Sequence, residues 1–115
     1  MPVVTPHDNR IIGSIAAGDA RAVDDAVRAA RDGFKVWSAE SGRERSRVLR
    51  AIARGIEKRK DALAALETED MGKPIEESAW DVEDASACFD YYADRCEEMF
   101  GDRSYAEEYV KLPMD

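Results

Sequence analysis

The chain has 115 residues, 44% of them hydrophobic and 37% charged, with a formal net charge of −8. That length holds one small domain at most, folded around a modest core. The acidic balance argues against nucleic acid as the main partner, and no apolar run approaches the ~20 residues of a membrane span.

The charge is unevenly placed. Ser41 to Lys60 carries eight basic and two acidic residues, net +6; Glu67 to Tyr109 carries three basic and fifteen acidic residues, net −12. Two such segments favour lying against each other. The N-terminus has no signal-peptide pattern, because Pro6-His7-Asp8 interrupts its short apolar start. The cytoplasm is therefore the default compartment, although an incomplete N-terminus would leave room for an organelle-targeting segment.

In chain order, Met1-Pro2-Val3-Val4 and Arg10-Ile11-Ile12-Gly13-Ser14-Ile15 read as β segments within residues 1–15, joined by a turn-rich stretch. Asp19 is the expected N-cap of a first helix, whose stripe is Val23, Val27, Ala30, Phe34 and Trp37. Ser41-Gly42-Arg43-Glu44 fits a capping box for a second helix with Val48, Leu49, Ile52 and Ile56 on its apolar face. Leu63 and Leu66 extend that face past a break near Lys60-Asp61, and Gly72-Lys73-Pro74 stops the helix. A long helix follows from Ile75 to Phe100, with Ala79, Val82, Ser86, Phe89, Ala93, Cys96 and Phe100 on one face. Residues 107–112 read as a terminal strand. The expected fold is mainly α: a helical hairpin or bundle of three to four helices over about 20–100, with short β segments at both ends.

Motifs for chemistry are sparse. No phosphate-binding glycine loop, dinucleotide fingerprint or nucleophile elbow is present. His7 is the only histidine, so neither a catalytic triad nor a zinc site is assembled easily. Cys88 and Cys96 stand eight apart on the long helix, roughly 12 Å along its axis, too far for a disulfide. Both are expected to be reduced thiols with a structural role. Glu77, Asp81 and Asp84 stand at i, i+4 and i+7, hence on one helix face, and Trp80 flanks them. An aromatic ring beside carboxylates is what a site for a small organic cation requires. On an open helix face each such contact is worth only roughly 0.2–1 kcal/mol, so the face becomes a site only if further protein closes over it.

Several segments carry a family resemblance. Ile11-Ile12-Gly13-Ser14-Ile15-Ala16, Val23 to Arg31, Leu49 to Ala53 and Leu66 through Pro74 resemble the N-terminal region of aldehyde dehydrogenases. Ser78 to Asp84, Cys88 to Asp94 and Val110 to Asp115 resemble the aminoaldehyde and betaine aldehyde branch, notably its plant members. The resemblance implies that residues 1–115 are part of an N-terminal region that packs beside an NAD-binding α/β domain. It implies a parent reaction in which a Cys thiolate attacks an aldehyde, hydride passes to NAD and a Glu-activated water releases the acid. It places Trp80, Asp81 and Asp84, with Glu77 nearby, at the mouth of a channel for amino- or trimethylammonio-aldehydes. It also maps two ligands of a monovalent-cation site, Na+ or K+, onto the Val4 carbonyl and Asp70. The family's nucleophilic Cys, general-base Glu and cofactor loop have no counterpart among these residues; Cys88 and Cys96 do not match the nucleophile. No dehydrogenase activity and no cofactor are therefore expected of the chain by itself. Its expected partners are the remainder of a subunit or full-length homologues. The alternatives are a truncated helical module that docks on full-length subunits and a relic without function.

Overall fold

The structure, a computed structural model, describes residues 1–109. They form a two-stranded hairpin, β1 (Pro2–Val4) and β2 (Ile11–Ser14), and five helices: α1 (Ala20–Ala39), α2 (Gly42–Glu57), α3 (Lys60–Met71), α4 (Ile75–Phe100) and α5 (Tyr105–Tyr109). The mainly helical class expected from the sequence is the one observed. The described residues divide into two compact units, one of residues 1–17 and 52–88, the other of residues 18–51 and 89–109.

In the first unit the strands run antiparallel, pairing Pro2 with Ser14, Val3 with Gly13 and Val4 with Ile11, with an irregularity between Val3 and Val4. The turn-rich segment closes the hairpin: Thr5 donates its N–H to the Arg10 carbonyl, and Asn9 takes the left-handed conformation at φ 61°. The core is built from small residues. Ala53, Ala64 and Val82 are buried, together with Ser78 and Ser86. The Ser86 hydroxyl donates to the Ala53 carbonyl at 3.1 Å, and the Ser78 and Thr68 hydroxyls share a hydrogen bond of 2.9 Å. Those bonds satisfy polar groups that burial would otherwise penalise. The expected apolar face of α2 and α3 is thus only partly right: Ile52 and Leu66 are exposed. Helices that approach over alanine and serine come close, and their larger apolar residues are left on the flanks.

In the second unit Asp19 caps α1 as expected, accepting from the Ala22 N–H at 2.9 Å. Ser41 Oγ accepts from the Glu44 N–H at 3.1 Å, while the Glu44 carboxylate engages Arg47 rather than completing a capping box. The first amides of α2, which have no partner within the helix, donate to the turn after α4: Gly42 N–H to the Arg103 carbonyl and Arg43 N–H to the Gly101 carbonyl. Ala93 is fully buried. Phe34 meets Tyr105 edge-on, but the remaining stripe of α1, including Val23, Val27 and Trp37, is exposed.

The expected terminal strand is corrected. Residues 107–109 are helical, within α5, and residues 110–112 lie outside the described residues. The cause is a capping box at Ser104 and Glu107: the Ser104 N–H donates to the Glu107 carboxylate at 2.8 Å and the Glu107 N–H to the Ser104 hydroxyl at 3.2 Å. Over residues 107–109, local capping outweighs the weak alternation that suggested a strand. Ser104→Ala is expected to cost about 1 kcal/mol of local stability, read as faster hydrogen exchange at the Glu107 amide; unchanged exchange would show that the cap is idle.

The basic and acidic stretches do meet, within each unit. Arg50 pairs with Asp94, Arg43 with Asp102 and Glu97, and Lys60 with Glu83.

Candidate functional site

The acidic face of α4 is positioned by the way α3 ends. Gly72 adopts a left-handed conformation (φ 76°) and donates its N–H to the Thr68 carbonyl, stopping α3. Two residues later the Pro74 carbonyl accepts from the Glu77 and Ser78 N–H groups, starting α4. Ser78 and Val82 then face the core, and Glu77, Trp80, Asp81 and Asp84 are exposed. The expected arrangement on one helix is therefore present, with Trp80 65% exposed.

The three carboxylates are not equivalent. Lys73 Nζ is bonded to the Asp81 carboxylate and, at 3.1 Å, to Glu67. The hydrogen bond from Lys73 holds the Asp81 carboxyl below its usual range, and Asp81 and Glu67 together raise Lys73. Glu77 and Asp84 make no ion pair among the described residues. Helical spacing grouped Asp81 with Glu77 and Asp84 and gave Lys73 and Glu67 no part in the site; the structure joins them to Asp81. Their signal lies at the helix-stop motif, where a lysine between two helices can reach a carboxylate on each.

Beside Asp81 opens a groove of about 740 Å³, lined by Ile12, Ile15, Leu63, Leu66 and Val82 with Glu67, Asp70 and Asp81 at its polar edge. Trp80, Glu77 and Asp84 lie outside that lining. Asp70 is exposed near the end of α3; Val3, rather than Val4, lines the same groove. Among the described residues no group of three or more His, Cys, Asp or Glu side chains is placed to hold a metal ion. Cys88 and Cys96 are free thiols, the first exposed and the second half-buried. No helix among the described residues is long and apolar enough to cross a membrane.

The Asp81 pair carries a pH prediction. A carboxylate whose folded pKa is depressed contributes stability that is fully present above the unfolded value. That contribution is lost as pH falls through the lower folded value. Asp81 is therefore expected to titrate below the ordinary aspartate range because Lys73 donates to it, with Lys73→Met returning it to that range. An Asp81 that titrates normally by carboxylate NMR would mean the pair is not formed in solution.

The described residues are thus a short antiparallel hairpin followed by a mainly helical region, with Glu77, Trp80, Asp81 and Asp84 exposed on its long helix. The aldehyde dehydrogenase family model matches residues 1–113, and the chain belongs to that family. It is 45% identical over 120 residues to aminoaldehyde dehydrogenase 2 of Zea mays and 44% identical to betaine aldehyde dehydrogenase 1 of Oryza sativa subsp. japonica. Both matches cover 100% of this chain and 23% of the relative, so the chain spans about a quarter of their length. Among solved structures, PnpE in complex with nicotinamide adenine dinucleotide superposes with a TM-score of 0.81 at 41% identity, over 85% of this chain and 20% of that one. Betaine aldehyde dehydrogenase of Staphylococcus aureus, in complex with NAD+, gives 0.79 at 35% identity, over 83% and 20%.

Proposed function

We propose that this chain is part of an NAD-dependent dehydrogenase that oxidises amino- or betaine-type aldehydes to acids, and that it supplies the cation-attracting mouth of the substrate channel. The observation that carries this reading is the exposed Trp80 with Asp84 one turn after it and Glu77 one turn before it. An indole face and unpaired carboxylates attract an ammonium group. Asp81, already paired with Lys73, then acts by positioning that lysine and by shaping the edge of the apolar groove. The nucleophile, base and dinucleotide site belong to residues beyond these 115. The Val4 carbonyl and Asp70 are proposed as two ligands of a Na+ or K+ ion, completed by a further ligand from the rest of the subunit.

The test is kinetic. In an enzyme containing these residues, Trp80→Ala with Asp84→Asn is expected to lower kcat/KM for betaine aldehyde about 10-fold, in line with one cation–π contact of ~1–2 kcal/mol. A neutral aldehyde of the same size should be unaffected. Equal losses on both substrates would remove the cation role. The 115-residue chain alone is expected to show no turnover with NAD and either aldehyde class.

A second reading has its own support, the exposed stripe of Val23, Val27 and Trp37 on α1. A helical module that docks on full-length subunits would bury it. Co-migration with a full-length homologue in size-exclusion chromatography supports this reading, and strict independence removes it. The compartment is not set by these residues: relatives are named peroxisomal in Pisum sativum and chloroplastic in Amaranthus hypochondriacus. We retain the cytoplasm as the default.

A further inference from the structure

Of the 20 residues of α1, all of them described, Ser38 alone is buried. A helix in a protein draws most of its stability from packing its apolar face, yet Val23, Val27, Phe34 and Trp37 are exposed. Phe34 meets Tyr105 edge-on and still keeps 44% of its surface open. With Ala30 these residues form one stripe at alternating four- and three-residue steps, the spacing of a helix-pairing seam. The two borders of the stripe differ. Ala26 and Gly33 stand along one, and position 33 has open space around it, so a neighbouring backbone can come close. Asp24 and Arg31 stand along the other, two turns apart. Elsewhere on α1, Arg28 pairs with Asp25 and Lys35 with Asp32. Asp24 and Arg31, opposite in sign and both at the edge of the seam, make no ion pair among the described residues.

We infer that α1 is an interface for a second copy of this chain, with two α1 helices packed antiparallel about a twofold axis. A twofold interface must be complementary to itself, and this pattern is. Antiparallel pairing of the seam sets Val23 of one copy against Phe34 of the other, and Val27 against Ala30. The same register brings Asp24 of each copy to Arg31 of the other, giving two ion pairs, while Ala26 and Gly33 let the backbones approach. A parallel pairing would set Arg31 against Ala26 and leave both charges unmatched. A lipid surface suits α1 less well, because its four basic and three acidic residues lack the Lys- and Arg-rich polar face of an interfacial helix. A single helix pair is smaller than the ~1,200 Å² of a stable interface, so half-association is expected on the order of 100 µM. The inference shares the exposed stripe with the docking reading above and goes beyond it by naming the occupant. It does not depend on the aldehyde proposed as substrate.

The test is sedimentation equilibrium of the 115-residue chain from about 5 to about 500 µM, a range that brackets the expected midpoint. The wild type is expected to pass from monomer to dimer, and Val27→Glu to remain monomeric. Asp24→Arg and Arg31→Asp each set like charges together and are expected to weaken the dimer about 10-fold. The double variant, Asp24→Arg with Arg31→Asp, restores opposite pairs and is expected to recover wild-type association. All three positions are exposed, and circular dichroism checks that each variant keeps its helix. A wild type that stays monomeric throughout overturns the inference. So does a dimer that Val27→Glu leaves intact, which would place the contact elsewhere. A double variant no better than the single ones overturns the antiparallel register. A monomeric chain that co-floats with phosphatidylcholine–phosphatidylserine vesicles through Val27 gives the face to a lipid surface. One that stays monomeric yet co-migrates with a full-length homologue overturns self-pairing and leaves the docking reading standing.

Discussion

Gly42→Ala is expected to lower the melting temperature of this chain by roughly 15 °C, equivalent to at least about 3 kcal/mol for a domain of this size. A Cβ at position 42 would stand 2.4 Å from the Cys96 carbonyl oxygen and 2.6 Å from Phe100 Cβ. Real Cβ contacts do not come so close, and one of the obstructing atoms is backbone. The clash therefore forces the start of α2 away from the end of α4. That movement breaks the bonds from Gly42 N–H to Arg103 and from Arg43 N–H to Gly101, leaving helix-end donors unpaired. Gly33→Ala is the control. Position 33 has open space around it within α1, so alanine there should stabilise by about 0.5–1 kcal/mol through helix propensity. Circular dichroism melts of both variants decide the matter; a Gly42→Ala chain melting within two degrees of wild type would show that the close approach is absent in solution.

A second large effect is expected from Gly72→Val. At φ 76° a β-branched residue is strained by roughly 1–3 kcal/mol, and its Cβ would stand 2.7 Å from Pro6 Cγ. The total expected loss is about 3 kcal/mol, and it has a second readout. Gly72 sets the direction in which Lys73 leaves α3, so the strained variant should loosen Lys73 from Asp81 and return the Asp81 titration towards its ordinary value. Loss of stability with an unmoved Asp81 titration would separate the turn from the site. Both measurements use the same NMR sample, so a destabilised but folded variant remains informative.

The two glycines differ in how well the sequence announces them. Gly72 precedes Lys-Pro after an apolar-periodic segment, and a left-handed stop is legible there, because the conformation is local. Gly42 reads only as a residue inside a capping motif. What forbids a side chain there is the carbonyl of Cys96, more than fifty residues away, and no local pattern encodes such an approach. Ser104 and Glu107 sit between these cases. Their spacing is a capping box in plain view, yet the alternation of the residues around it reads as a strand.

The acidic face shows the same division. Helical spacing alone puts Glu77, Asp81 and Asp84 on one side of α4, and Trp80 beside them, since 3.6 residues per turn leaves no other arrangement. The state of each carboxylate is different, because it depends on what reaches it from another element. Lys73 neutralises Asp81, while Glu77 and Asp84 have no ion pair among the described residues, a distinction made where α3 hands over to α4. Helices, caps and stops were thus determined by sequence, through interactions spanning three or four residues. Which apolar residues are buried was decided by tertiary structure. Helices that approach over Ala53, Ala64, Ser78 and Ser86 leave Ile52 and Leu66 exposed, because close packing selects for shape as well as hydrophobicity. The same holds for Arg45: the sequence shows one arginine among many, and only the folded chain buries it against the Phe100 ring, with Nε and Nη2 donating to no acceptor among the described residues.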